Sequence, residues 1–296
     1  MAQLPRRHNW IALEMMEAAA RRRARQKRRG YLGMSEIGNL CERALWLGFR
    51  GFSRPPLPGR IQRIFEAGDD CEQRVIRDLT EAGFTVEGCQ DEYVDHGEFF
   101  RGHNDGKVYG VTKRPHILEI KSAKSTRYRQ LQKVGYKTWS DTYYAQTQCY
   151  MGYEGFDRAL VVVENKDNQD LYTERLYFEP ETFLQLKVKA LRIITSNDIP
   201  EAAYHAKSKT CQWCDFKPLC GEPERYFLMP GDQICGTCHY MGFKPGTCTV
   251  WCRHPEHPYQ IKDVSISCPD WSDLLQKPLP GHTLKRPPRV TWEAVE

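Results

Sequence analysis

Residues 102–124, GHNDGKVYGVTKRPHILEIKSAK, decide the fold because they predict two strands that deliver charged side chains to one place. In HILEIK the side chains alternate between the two faces of a predicted strand. A carboxylate and an ammonium group therefore share one face. The residues predicted to face a core are Leu118 and Ile120, and those on the opposite face are Ile117, Glu119 and Lys121.

A second strand is predicted just before this one, at residues 99–110, with turn residues at 112–115. A hairpin of that length brings Asp105 across from Glu119. Two carboxylates beside Lys121 are typical of a site for a hard metal ion. The alternative is a surface ion pair next to an Asp-Gly turn, because both patterns are also common in structural roles.

The composition favours a soluble protein with one enzyme-sized body and a smaller attachment. The chain has 296 residues, 40% of them hydrophobic, and a mean hydropathy of −0.65. No apolar run approaches the roughly 18 residues of a membrane span, and no signal peptide is recognisable. We therefore expect a cytoplasmic protein, in a bacterial or phage-infected cell, without a membrane partner.

The net charge is +5, but its distribution is uneven. A dense basic block indicates a polyanionic partner, and a solvated basic face is the alternative. The block consists of Arg21, Arg22, Arg23, Arg25, Lys27, Arg28 and Arg29.

Of the twelve cysteines, four lie in the first 210 residues and eight are clustered between Cys211 and Cys268. Short spacings without a secretion signal point to metal or cluster ligation in a reducing compartment. Three further cysteines, Cys71, Cys89 and Cys149, are predicted inside regular elements as buried small side chains.

The order of predicted elements indicates an α/β fold with a small mixed sheet flanked by helices. Ser35 is predicted to cap a short helix that carries Cys41. Helices are predicted at residues 10–29, 60–82, 127–151 and 181–195, and strands at residues 84–94, 99–110, 116–121, 159–164 and 171–178.

Four motifs in this order resemble those of the PD-(D/E)xK nucleases, in the RecB-like branch that includes CRISPR-associated and helicase-attached nucleases with an iron–sulfur cluster. The resemblance covers residues 31–226, and its specificity comes from the combination. The motifs are Gly68-x3-Glu72, GHNDG with Asp105, LEIKSAK with Glu119 and Lys121, and Gln146-x3-Tyr150.

The resemblance implies a restriction-endonuclease-like core and a catalytic site for Mg²⁺ or Mn²⁺. Lys121 is implied to orient or activate water. Gln146 and Tyr150 are implied to contact nucleic acid, with ordinary helix packing as the alternative for Tyr150. The implied metal ligands are Glu72, Asp105, Glu119 and the carbonyl group of Ile120.

The chain departs from the family pattern at two positions. Asn104 stands where relatives have proline, and Glu72 stands where many have histidine. Glutamate is an oxygen ligand, so the second difference is compatible with magnesium or manganese.

The resemblance also assigns a first set of four cysteines to a [4Fe-4S] cluster that would link the two ends of the nuclease domain. Four thiolates suit zinc as well, so the choice of iron–sulfur rests on the resemblance. The set is Cys41, Cys211, Cys214 and Cys220.

A second set predicts a small zinc-ribbon-like module in the C-terminal tail. A second iron–sulfur centre remains open, as does the choice between Cys248 and Cys252. The set is Cys235, Cys238 and Cys268, completed by Cys248 or Cys252.

The predicted domains are a basic helix at residues 1–30, a nuclease domain at residues 31–226 and a cysteine-rich tail at residues 227–296. The resemblance implies a DNA exonuclease in phage or mobile-element recombination or in CRISPR adaptation, with proteins of those systems as partners. A structure-specific endonuclease, a non-catalytic DNA-binding scaffold and an RNA substrate are the alternatives.

Overall fold

The computed structural model describes residues 9–25, 29–52, 54–205, 207–221, 234–238, 241–243, 248–255, 258–262 and 264–265. None of the helices within these ranges combines the length and apolar character that crossing a lipid bilayer requires. The helices described are α1 (Asn9–Ala24), α2 (Glu42–Phe49), α3 (Gly59–Glu81), α4 (Ser125–Trp139), α5 (Asp141–Glu154), α6 (Pro180–Thr195), α7 (Lys209–Gln212) and α8 (Lys217–Gly221).

A five-stranded mixed sheet organises the molecule, with strand order β2-β5-β6-β7-β8. Neighbouring strands are antiparallel except β6 and β7, which run parallel. A parallel pair requires a crossover connection, and α4 and α5 supply it. The strands are β2 (Thr85–Glu87), β5 (Gly106–Tyr109), β6 (His116–Ala123), β7 (Arg158–Asn165) and β8 (Leu171–Tyr177).

Within the described ranges, two three-stranded sheets accompany the central one. The first is mixed, because β1 runs parallel to β4 while β3 runs antiparallel to it, and the second is antiparallel. The order is β1-β4-β3 for β1 (Leu32–Gly33), β3 (Glu92–Asp95) and β4 (Phe100–His103), and β11-β10-β9 for β9 (Met241–Phe243), β10 (Val250–Cys252) and β11 (Tyr259–Ile261).

The central strand β6 is buried on both faces, so the prediction of one core-facing side was wrong. Leu118 and Ile120 pack with Cys71 and Val75 of α3, whereas Ile117 belongs to the larger core on the other face. Strands covered on both faces lose the simple apolar–polar alternation. Glu119 consequently lies inside the protein.

Several predicted elements match the structure closely. Helix α3 and helix α6 lie within one residue of their predicted ranges, and β7 and β8 form the predicted antiparallel hairpin. These elements have strong local patterns, namely an apolar stripe on each helix and β-branched residues in β7. The mixed α/β architecture with helices around small sheets is confirmed.

Other boundaries were wrong. Residues 84–94 and 99–110 each divide into two strands that belong to different sheets. The predicted helix at residues 127–151 is interrupted at Ser140, and α1 ends at Ala24. The residue preceding α2 at its N-cap is Cys41 and not Ser35.

The basic helix α1 lies against α3, the helix that carries Glu72. Arg22 donates hydrogen bonds of 2.8–3.0 Å to both carboxylate oxygens of Glu66. The guanidinium carbon of Arg23 lies 5.7 Å from the centroid of the Phe65 ring. Part of the basic block therefore packs on the body of the protein.

Candidate active site

The β5–β6 hairpin sets the geometry of the site. Gly106 pairs with Leu118 in an antiparallel register, so Asp105 lies across from Glu119. This is the register that the sequence predicted. The backbone N–H of Ile120 donates a hydrogen bond of 2.7 Å to Oδ2 of Asp105 and fixes that carboxylate beside β6.

Three oxygen atoms converge on the ammonium group of Lys121. The carboxylate of Glu119 is in direct contact with Nζ. The carbonyl oxygen of Ile120 accepts a hydrogen bond of 3.1 Å from Nζ, and Oδ2 of Asp105 lies 3.8 Å from it. These three residues are among the ligands implied for a divalent cation, and here they surround a cation of the chain itself.

The carboxylate of Glu119 is fully buried, at 0% exposure. Neither of its oxygens accepts a hydrogen bond of ordinary geometry from the residues that the structure describes. Burial raises the pKa of Glu119 to about 8, against the opposing attraction of Lys121. Burying a carboxylate is costly in a folded protein unless a cation compensates it, which makes this group a strong candidate for a cation ligand.

The side chain of Lys121 is mostly enclosed by the site. Burial lowers its pKa, but Glu119 and Asp105 outweigh that effect and hold the pKa well above its usual value. Its Nζ lies 5.4 Å from the centroid of the Tyr143 ring on α5. Lys121 therefore faces two carboxylates and an aromatic ring.

Glu72 reaches the same region from α3. Burial and the neighbouring charge of Asp105 raise the pKa of Glu72, and Lys121 also interacts with it electrostatically. Nε2 of Gln90 donates a hydrogen bond of 2.9 Å to Oε1 of Glu72. All four charged residues predicted for the catalytic site are thus electrostatic neighbours.

Gln90 is a residue of this site that the sequence analysis missed. Its backbone has a φ of 63°, which is uncommon for a residue other than glycine. Its backbone N–H donates to the carbonyl oxygen of Asn104 at 3.0 Å, next to Asp105. No local sequence signal marks Gln90, because its position depends on contacts with residues distant in the chain.

Asn104 has a structural role. Its side-chain amide donates to the hydroxyl of Tyr93 at 2.9 Å, and its Oδ1 accepts the N–H of Asp91 at 3.1 Å. Asn104 is fully buried. The amide therefore ties together the loop that carries Gln90 and the strand that leads to Asp105.

Gln146 and Tyr150 lie together on α5 and are nearly enclosed, at 6% and 1% exposure. Nε2 of Gln146 donates a hydrogen bond of 3.2 Å to the hydroxyl of Tyr150. Tyr150 packs against Tyr93 and against Gly102, where a Cβ would lie 2.8 Å from the tyrosine ring. The packing alternative describes the surroundings of Tyr150, and the substrate contact stays a prediction.

Within the described ranges, no group of three or more His, Cys, Asp or Glu side chains is arranged to hold a metal ion as it stands. The donor set at Lys121 nevertheless fits a hard divalent cation. Carboxylate and carbonyl oxygens are the ligands that Mg²⁺ and Mn²⁺ prefer, and among the described residues the Glu119 oxygens have no well-formed hydrogen bond beyond their contact with Lys121.

The first cysteine set is gathered around one cavity of about 80 Å³. Cys41 caps α2, while the other three members come from α7, α8 and the turn between them. Nη1 of Arg43 donates to Sγ of Cys220 at 3.5 Å. The cavity is lined by Cys41, Cys211, Cys214 and Cys220 together with Tyr204 and Phe216.

The second cysteine set is placed only in part. Cys235, Cys238 and Cys252 are buried, and Cys268 lies outside the described residues. Cys248 lies next to Gly97, where an added Cβ would be 3.0 Å from the Cβ of Cys248.

Among the cysteines assigned to no site, one prediction was wrong. Cys71 and Cys149 are buried as expected, but Cys89 is exposed in the loop beside Gln90. The sequence predicted a continuous strand there, whereas the chain turns away from the sheet after Glu87.

Gln90→Ala is expected to weaken Mn²⁺ binding about tenfold, because Glu72 loses the group that orients it. Isothermal titration with Mn²⁺ measures the effect. Gln169→Ala is the matched control: Gln169 also has a positive φ, of 66°, but its side chain bonds to Lys166 in the β7–β8 turn. Equal Mn²⁺ affinities for the two variants would contradict the role of Gln90.

No family model matches this sequence, and a search of curated proteins found no significant relative. Solved structures overlap with part of the fold. The protein SSO0001 does so with a TM-score of 0.45 and 13% identity over 74% of this chain and 98% of its own. An alkaline exonuclease (LHK-Exo) from Laribacter hongkongensis has a TM-score of 0.42 and 17% identity over 61% of this chain and 90% of its own. A phage-related exonuclease from Haemophilus somnus 129PT has a TM-score of 0.31 and 14% identity over 42% of this chain and 66% of its own.

Proposed function

We propose that this protein is a Mg²⁺- or Mn²⁺-dependent DNA nuclease that hydrolyses phosphodiester bonds, and specifically an exonuclease acting on DNA ends or single strands. The observation that carries the proposal is the convergence of Glu119, Asp105 and the Ile120 carbonyl on one cationic point. The four motifs that resemble those of PD-(D/E)xK nucleases support it independently.

Each residue of the site has a separate proposed role in the reaction. Asp105, Glu119 and the Ile120 carbonyl would hold the cation, with Glu72 as a further carboxylate ligand held by Gln90. A divalent cation bound there supplies an activated water and stabilises the leaving oxyanion. Burial of Glu119 excludes bulk water and strengthens each electrostatic interaction at the site.

In this proposal the Lys121 ammonium occupies one position without metal and another when metal is bound. Its ammonium contacts the same oxygens that would bind the metal, so metal binding displaces it. The displaced ammonium stays beside the site, where it can orient the attacking water and offset the charge of the phosphoryl group. This displacement makes Lys121 both a competitor of the metal and a participant in the reaction.

The nucleic-acid partner is supported by the charge of α1. Arg21 is exposed on this helix and Arg25 is exposed directly after its end, and the helix lies against the helix of Glu72. Exposed arginines bind phosphates through counterion release. We propose that α1 contributes to a phosphate-binding track beside the catalytic site.

Cleavage of end-labelled linear and closed circular DNA, with Mg²⁺ or Mn²⁺, tests the proposal. Degradation of linear DNA alone is the expected result, and the fate of the label gives its polarity. Discrete fragments from the circular substrate would favour a structure-specific endonuclease. Faster cleavage of RNA of the same sequence would reassign the substrate.

A protein that cleaves nothing with either metal would overturn the catalytic proposal and favour a DNA-binding scaffold. Anaerobic purification and a check of the visible spectrum show that any cluster is intact. The Glu119→Gln variant, tested in parallel, identifies contaminating nucleases, since their activity does not depend on this residue.

We propose further that Cys41, Cys211, Cys214 and Cys220 hold a [4Fe-4S] cluster with a structural role. All four line one cavity. The preference for a [4Fe-4S] cluster over one zinc ion rests on the resemblance to nucleases that carry such a cluster. The cluster would connect α2 with α7 and α8.

Cys41→Ser is expected to remove the broad visible absorbance of the anaerobically purified protein and to lower its thermal unfolding midpoint, because α2 loses its link to α7 and α8. Absorption spectroscopy and iron analysis measure the first effect. Cys71→Ser, at a buried cysteine far from this cavity, is the control. A Cys41→Ser protein that keeps the parental iron content would exclude Cys41 as a ligand.

A further inference from the structure

Lys107 of β5 contacts two carboxylates that belong to different parts of the fold. Its Nζ lies 2.6 Å from Oε1 of Glu154, the last residue of α5, and 3.0 Å from Oδ2 of Asp91, in the loop between β2 and β3. The side chain of Lys107 is only 17% exposed, and that of Glu154 only 19%. Ion pairs enclosed to this degree are screened less than pairs on the surface, so Lys107 can hold the two elements together.

The register of β5 explains why Lys107 reaches both carboxylates. Lys107 pairs with Ile117 of β6, whereas the next residue, Val108, packs on the opposite face against α3. Successive side chains of a strand point to opposite faces, and paired residues share a face. Lys107 therefore lies on the face of Ile117, which is the face that α5 covers with Tyr150.

A closed ring of polar contacts runs through Lys107. The hydroxyl of Tyr93 donates a hydrogen bond of 2.7 Å to Oε2 of Glu154 and accepts one of 2.9 Å from the amide of Asn104. Oδ1 of Asn104 in turn accepts the backbone N–H of Asp91. Lys107 joins the two ends of this chain of contacts, Glu154 and Asp91. The ring fastens the loop before β3 to β5 and to the end of α5.

The same loop carries Gln90, and it folds closely against the stem of Lys107. Gly88 has a φ of 59°, and a Cβ there would lie 2.4 Å from Oδ2 of Asp91 and 3.2 Å from Cε of Lys107. Gln90, one residue before Asp91, also has a positive φ. Such a backbone conformation is unfavourable for a residue other than glycine and persists only where surrounding contacts hold it. Lys107 supplies one of these contacts through Asp91.

We propose that Lys107 is a positioning residue of the metal site: it holds Asp91, and thereby keeps the side chain of Gln90 on the carboxylate of Glu72. The inference rests on the proposed function, because Glu72 needs an orientation only where the site binds a divalent cation. It extends that function to a lysine that acts through two intervening residues. Groups that orient metal ligands through hydrogen bonds commonly change metal affinity by about tenfold or more.

Lys107→Met is expected to weaken Mn²⁺ binding about tenfold, because the loop of Gln90 is released. The charge effect alone has the opposite sign, since removing a positive charge near a cation site strengthens cation binding. The direction of the change therefore separates positioning from simple electrostatics. Isothermal titration below the unfolding transition measures it, and an affinity equal to or higher than that of the parent would overturn the proposal.

The route through Asp91 is tested by a double-mutant cycle. The carboxylate of Asp91 is 46% exposed and its neighbour Glu154 keeps its bond to Tyr93, so Asp91→Asn is expected to fold normally. If Lys107 acts through Asp91, the double variant binds Mn²⁺ about as weakly as Lys107→Met alone. Losses that add up in the double variant would show that Lys107 does not act through Asp91.

Lys187→Met is the matched control. Nζ of Lys187 lies 2.9 Å from Oδ2 of Asp95 on β3, and the variant removes the same charge from another partly enclosed ion pair. It is expected to keep the parental Mn²⁺ affinity, and an equal loss in both variants would reduce Lys107 to a general structural residue. A parent protein that binds no Mn²⁺ would refute the proposed function itself. A parent that binds Mn²⁺ without cleaving DNA would refute only the catalytic proposal, because the affinity of Lys107→Met is measured without cleavage.

Discussion

Lys121→Ala is expected to slow DNA cleavage by about a thousandfold or more while Mn²⁺ binds at least as tightly as in the parent. The loss in rate follows because the ammonium that orients water and offsets phosphoryl charge is gone. The retained affinity follows because Nζ contacts the oxygens of Glu119, Ile120 and Asp105 and therefore competes with the metal for them. If Lys121 formed only a structural ion pair, its removal would not combine a large loss of cleavage rate with retained Mn²⁺ affinity.

Single-turnover cleavage of labelled DNA and titration with Mn²⁺ measure the two parts of this prediction. Lys124→Ala provides the matched control, since Lys124 lies three residues further on and is exposed at the start of α4. DNA binding and the unfolding midpoint show whether the variant is folded. Parental cleavage by Lys121→Ala would remove this residue from the reaction.

Asp105→Asn is expected to abolish both Mn²⁺ binding and cleavage, with a rate loss of about a thousandfold or more. The substitution is nearly isosteric. The carbonyl oxygen of asparagine can still accept the N–H of Ile120, which Oδ2 of Asp105 accepts at 2.7 Å. The hairpin should therefore persist, and only the negative charge is lost.

Asp167→Asn is the control for this experiment, because Asp167 also accepts a backbone N–H, that of Ser125, at 2.9 Å. It lies in the β7–β8 turn, away from the site. Circular dichroism and thermal unfolding establish that both variants fold. If Asp105→Asn binds Mn²⁺ with parental affinity, the assignment of Asp105 as a ligand is wrong.

The sequence predicted those elements whose pattern is local. The stripe of α3 and the β-branched run of β7 each carry their periodicity within one segment. The division of residues 99–110 at Asn104 has no such signal. It arises because the segments on either side pair with different sheets, and Asn104 bonds to Tyr93 and Asp91 between them.

The candidate site shows the same contrast. Asp105 and Glu119 were predictable as neighbours because a short turn connects their strands. Gln90 was not, since it acts through a hydrogen bond to Glu72, which is remote in sequence. The full burial of Glu119 was also missed, because it results from the parallel pairing of β6 with β7.

The parallel pairing of β6 with β7 affects the order in which the site forms during folding. Strand β6 meets β5 through a short loop, but it meets β7 only after α4 and α5 have crossed the sheet. Contacts between distant segments form more slowly than local ones, since the chain entropy of the loop is lost first. Asp105 and Glu119 are thus brought together while water still surrounds them, and Glu119 is dehydrated in a later step. Nascent chains halted before residue 158 would carry the paired carboxylates in a solvated form.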